Sequence, residues 1–113
     1  MMNTIRTEQE LESLLEASKE RPVLLFKHSN ACPISGRAHS EVSEFLEEHA
    51  DPAFGFAMIV VQTARQLSNA VAERLGVEHE SPQAIVVRDG HAVWNTSHWN
   101  ITRKSLEEAL AVR

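Results

Sequence analysis

The residue best equipped for chemistry is Cys32, the one cysteine among 113 residues. It lies in Ser29-Asn30-Ala31-Cys32-Pro33, a polar stretch. Pro33 suits the first position of a helix, where its missing N–H costs nothing. Cys32 therefore falls at or beside a helix N-cap. The free backbone N–H groups of a first turn and the positive end of the helix dipole favour a thiolate over a thiol. At such places thiol pKa values fall from about 8.5 to roughly 3.5–7.5. Lys27 and His28, just upstream, are candidates to add positive charge. The thiolate is the nucleophile of disulfide exchange, and a lone one stops at a mixed disulfide until another thiol arrives. In Cys32-Pro33-Ile34-Ser35 the serine cannot pair with it. Ser35 is expected to solvate the helix or to hydrogen-bond the Cys32 sulfur. The alternative, Cys32 as a small buried apolar residue, fits these polar neighbours poorly.

The elements that must position Cys32 are well signalled. Thr7 and Glu10 form a capping-box pattern ahead of Leu11, Leu14 and Leu15, which predicts a first helix. Val23-Leu24-Leu25-Phe26 is a continuous apolar run, the mark of a strand covered on both faces. Ile34, Ala38, Val42, Phe45 and Leu46 share one face of a long helix that Asp51-Pro52 stops. Residues 54–61 predict a second strand, and strand–helix–strand implies parallel pairing with a right-handed crossover. Thr63 and Gln66 suggest a second capping box for a helix carrying Leu67, Val71 and Leu75, closed by Gly76. Ala84-Ile85-Val86-Val87 predicts a third strand. Asp89-Gly90 predicts a tight hairpin into a fourth strand at 91–95. Thr102 is a candidate cap for a last helix with Leu106, Ala109 and Leu110.

This order, with a short strand possible near Ile5, is the core topology of the thioredoxin fold. It predicts an α/β domain over residues 1–113, with a central mixed sheet of four to five strands and about four flanking helices. In oxidoreductases of that fold a second cysteine usually follows the first by three residues and resolves the mixed disulfide. Ser35 stands there instead. Ser81-Pro82 precedes the third strand, where that fold carries a cis-proline facing the reactive cysteine. Cis peptides are essentially confined to X–Pro bonds. In this fold the preceding residue, here Ser81, offers its backbone to an extended substrate.

Further residues carry a family resemblance. Phe26-Lys27-His28-Ser29 leading into Cys32-Pro33-Ile34-Ser35, with Ala38 and Glu41-Val42 beyond, resembles the monothiol bacilliredoxin family, YtxJ-like or BrxC. Leu67-Ser68-Asn69, Gly76-Val77, His79-Glu80-Ser81-Pro82-Gln83 and Ser97-His98 before Ile101-Thr102 match it as well. The resemblance spans nearly the whole chain. It implies a thioredoxin-like enzyme of bacillithiol redox chemistry, a thiol–disulfide oxidoreductase whose Cys32 takes bacillithiol from mixed disulfides on client proteins. Bacillithiol or another low-molecular-weight thiol would regenerate Cys32, with no tightly bound cofactor. The Cys-Gly-Cys of dithiol bacilliredoxins is absent here.

Composition narrows the alternatives. One cysteine excludes an internal disulfide and a four-cysteine zinc site. A net charge of −5, from 11 basic and 16 acidic residues, argues against a nucleic-acid surface. No basic start precedes an apolar stretch, and no apolar run, that at 57–61 included, approaches the roughly 20 residues of a membrane helix. A cytoplasmic monomer is expected. The histidines 28, 39, 49, 79, 91 and 98 show no tight ligand motif, so no metal site is expected. Trp94 and Trp99 are expected to cover the end of the core. Glu47-Glu48 and Glu107-Glu108 read as solvated helix surface. Two other functions compete. A monothiol iron–sulfur carrier fits one cysteine, and Lys27 loosely resembles the lysine of monothiol glutaredoxins, but Pro33 denies the close backbone approach that glycine gives there. A non-catalytic binding module would need only the Ser81-Pro82 groove.

Overall fold

Val23–His28 forms β1, and five of its six residues are buried. A strand this apolar needs cover on both faces. In the computed structural model it lies inside a four-stranded sheet of order β2-β1-β3-β4. The structure describes residues 3–31, 33–49 and 54–110. The other strands are β2 (Gly55–Val60), β3 (Gln83–Arg88) and β4 (His91–Ser97). The helices are α1 (Glu8–Ala17), α2 (Pro33–Glu48), α3 (Arg65–Leu75) and α4 (Arg103–Leu110), with a 3-10 turn at His98–Asn100.

β1 pairs with β2 in parallel and with β3 antiparallel, Lys27 standing opposite Gln83. The strand expected near Ile5 is a single parallel bridge, Thr4 to Met58, on the outer edge of β2. The core has two halves. Val23 and Leu25 face α1 and α3 together with Leu11, Leu67 and Ile85. Leu24 and Phe26 face α2 and α4 together with Val42, Phe45 and Leu106. Successive strand side chains point to opposite faces, so β1 feeds both halves.

Most end signals work as the residues predict. Thr7 and Glu10 form a complete capping box. Asp89 and Gly90 both take positive φ, 55° and 77°, as a tight hairpin turn requires. Gly76 ends α3 with φ 65°. Thr102 Oγ1 accepts from the N–H of Ser105 at 3.0 Å, and Ser105 Oγ accepts from that of Thr102 at 3.0 Å. The Thr63–Gln66 box does not form. The N–H groups of Thr63 and Ala64 both bond Val60 O, which delays α3 until Arg65 behind an uncapped Ala64. The Thr63 hydroxyl donates to Val60 O as well. Among the described residues no helix is long and apolar enough to cross a membrane.

Candidate functional site

Cys32 lies outside the described residues. The chain on either side of it is described, together with the groups that hold residues 28–31. Pro33 opens α2 as expected and is exposed, while Ile34 is half-buried. Ser35 is fully buried. Its Oγ accepts the Ser29 N–H at 2.8 Å and lies 3.1 Å from His28 Nδ1. The hydroxyl keeps a second lone pair beside the one committed to Ser29, so either group can supply the proton of its bond to Nδ1. The surroundings of His28 favour the neutral imidazole. Burial holds its pKa below the usual value, and the neighbouring His39, with ring centroids 4.9 Å apart, pushes the same way.

The loop before Cys32 has a second anchor that sequence reasoning missed. Gln62, just past β2, donates from Nε2 to Ser29 Oγ at 2.7 Å and accepts the Asn30 N–H on Oε1 at 3.1 Å. Ser29 Oγ also accepts the Ala31 N–H at 3.3 Å, and Val61 N–H bonds His28 O at 2.9 Å. Residues 28–31 are thus held from β2 on one side and from α2 on the other. Gln62 carries no motif, since its role depends on the turn that places it.

Lys27 points to the other face of the sheet and is fully buried. Its Nζ donates to Ser68 O at 3.1 Å and lies 3.1 Å from His79 Nδ1, which Ser68 Oγ also approaches at 3.3 Å. Burial alone pushes Lys27 from 10.5 down to about 8, because an unpaired buried charge is costly. His79 is held below its ordinary value by burial first and by the Lys27 charge second. Lys27 thereby ties α3 to the segment that leads into Ser81-Pro82.

The Ser81–Pro82 peptide is cis. Pro82 is buried, and its carbonyl accepts the His98 N–H at 3.0 Å. Gln83 Nε2 donates to Glu78 O at 2.9 Å. Among the described residues, Ser81 Oγ and Gln83 Oε1 are buried without a partner. The Lys27–Gln83 register puts the exit of β1 and the entry of β3 at the same end of the sheet. His28, Lys27, Pro33, Ser35, Ser81 and Pro82 therefore meet at one end of the molecule, though Lys27 works from behind the sheet.

The remaining candidates sort differently. Trp94 packs on the α2-side core, but Trp99 is 59% exposed, contrary to the sequence expectation. His98 takes a left-handed φ of 57°, which turns the next residue outward, and the Arg37 guanidinium lies over the Trp99 ring at 5.2 Å. Glu48, His49 and Glu107 bring ligand-type atoms within 4.8 Å of one another. They sit at the far end of α2 from Pro33. Glu48 is ion-paired with Arg103 at 2.8 Å and His49 contacts Glu107 at 3.0 Å, so these glutamates are bridged rather than merely solvated.

A strand that runs into a polar loop, a proline-led helix and a cis-proline loop define a thioredoxin-fold protein of the thiol oxidoreductase class. A solved thioredoxin-fold protein, described as a candidate oxidoreductase, is 34% identical. The match covers 96% of this chain and 92% of that one, with a TM-score of 0.86. Thioredoxin from Fasciola hepatica shares the fold at 20% identity, with 97% of each chain covered and a TM-score of 0.78. The chain belongs to the monothiol bacilliredoxin BrxC family, whose description matches residues 3–106.

Proposed function

We propose that this chain is a monothiol enzyme that removes bacillithiol from protein mixed disulfides through Cys32. The Cys32 thiolate attacks the bacillithiol sulfur, the mixed disulfide breaks, and the client leaves as a thiolate that takes a proton from water. Cys32 is then disulfide-bonded to bacillithiol. A second bacillithiol thiolate attacks that sulfur, releases bacillithiol disulfide and restores Cys32. Bacillithiol is thus a redox co-substrate, and no tightly bound cofactor is needed. Pro33, Ile34 and Ser35 form the motif around the thiolate, and Ser81 and Pro82 the groove for the client.

The observation that carries this reading is Ser35. It holds the place where a resolving thiol would stand, and its hydroxyl is already engaged by Ser29 and His28. The second thiol must then come from outside, as the family's monothiol chemistry implies. Cys32→Ala abolishes release of bacillithiol from a model client; full activity in that variant sinks the proposal. Intact mass after exposure to bacillithiol disulfide, and separately to glutathione disulfide, tests the thiol. A bacillithiol adduct with little glutathione adduct is expected. Equal labelling would remove bacillithiol as the preferred thiol.

A further inference from the structure

We infer that Gln62 is a positioning residue for Cys32, and that its side-chain amide sets the reactivity of the thiol by clamping the loop that carries it. The inference rests on Cys32 being the attacking group in the reaction proposed above.

Loop 29–31 is short and polar, and such segments wander unless their backbone groups are tied. Here each is tied. The Asn30 N–H goes to Gln62 Oε1, and the Ala31 N–H goes to Ser29 Oγ. Ser29 Oγ is itself held by Gln62 Nε2 at 2.7 Å, and Ser29 N–H is taken by Ser35. One amide thus fixes Ser29 and Asn30 together, using its donor and its acceptor at once. Cys32 lies two residues beyond Asn30. The turn after β2 that presents Gln62 is itself fixed, since Val61 N–H bonds His28 O and Thr63 N–H bonds Val60 O.

A monothiol enzyme needs this more than a dithiol one. Its second step is attack by a free small thiol, with no neighbouring cysteine at high effective concentration to rescue a badly aimed sulfur. The nucleophile must stay aligned through both encounters. An amide also suits the place chemically. It holds the loop by hydrogen bonds without bringing a negative charge near the thiolate, which a carboxylate at the same position would do.

The variants separate clamping from charge. Gln62→Ala removes both bonds: exchange slows about tenfold at every pH from loss of alignment, and the pH midpoint of iodoacetamide alkylation of Cys32 rises, because a loosened loop supports the thiolate less well. Gln62→Glu still accepts the Asn30 N–H and can accept from the Ser29 hydroxyl, so the clamp survives. Its charge moves the pH midpoint of alkylation upward, and above that midpoint its rates return to those of the unaltered protein. A purely structural role would lower the unfolding temperature of both variants without moving that midpoint. The inference is overturned if Gln62→Ala stays within twofold of the unaltered protein in exchange and keeps its alkylation midpoint, or if Gln62→Glu is as slow as Gln62→Ala at every pH. Alkylation needs no bacillithiol, so failure of the clamp is told apart from failure of the bacillithiol reading. The latter leaves the alkylation differences intact and shows no exchange in any form of the protein.

Discussion

Along β1, the residues that face α2 and those that face α1 and α3 are equally dry for four positions, then part company at the last two. Toward α2, Leu24 and Phe26 give way to His28, an imidazole hydrogen-bonded with a serine hydroxyl and held below its ordinary pKa by burial. Toward α1 and α3, Val23 and Leu25 give way to Lys27, an ammonium sealed from water against a carbonyl and an imidazole. A neutral hydrogen-bonded pair is cheap to bury, whereas a lone cation is not. The two ends also hold different things. His28 and Ser35 hold the loop before Cys32, and Lys27 and His79 hold the segment before Pro82. The first end stabilises while it positions. The second positions at a cost in stability.

The sharpest test is to empty each face in turn. Phe26→Ala should lose about 3–5 kcal/mol and Leu25→Ala about 2–5 kcal/mol in urea unfolding, as large-to-small changes in full cores do. If either is tolerated, the faces are not equally packed and the comparison fails at its base. Next comes Ser35→Ala, which leaves the Ser29 N–H without its acceptor. The expected loss is about 1–3 kcal/mol, and a neutral result would show that the His28 end contributes nothing to stability. Lys27→Met keeps the shape and removes the charge. It should be neutral or stabilising by about 1–2 kcal/mol near neutral pH, while weakening the grip on the segment before Pro82. A large loss would mean the ammonium is net favourable.

The smallest expected effect is a pH slope. The folded Lys27 gives up its proton near pH 8, the unfolded one near 10.5. Between those values the unfolded chain binds more protons, so stability rises with pH across the window. Lys27→Met should lack that rise, read as the difference between two urea titrations. The chain has no tyrosine, and the Cys32 thiol, which in the unfolded chain titrates at about 8.5, cancels in that difference.

Much of the fold is legible in the residues because each element carries its own local signal. The capping box at Thr7, the apolar run of β1, Pro33 and Asp89-Gly90 all act over a few residues. The failures lie where a partner is distant. Thr63 looks like a cap until the Val60 carbonyl claims the turn. Trp99 looks like a core residue until the backbone of His98 is known. Gln62 is silent because its meaning comes from a loop 32 residues upstream in sequence. Lys27 did offer a signal. It continues the alternation Val23, Leu25, Lys27 on one face, and a strand's period of two buries it with them. The expectation that lysine stays in water hides that.

The sheet order also governs how the chain comes together. β1 is made early, yet it lies in the interior of the sheet, with β2 on one side and β3 on the other. Val23 must wait for Val87 before its second edge closes. As the polypeptide leaves the ribosome, α1, β1, α2 and β2 can assemble while that edge stays open, an apolar strand with unpaired N–H and C=O groups. Pairings between such distant residues form slowly. Closing the edge also delivers the cis-proline loop, because Pro82 enters directly ahead of β3. The nascent protein is therefore at its stickiest just before its groove exists, and the step that removes the hazard is the step that completes the site.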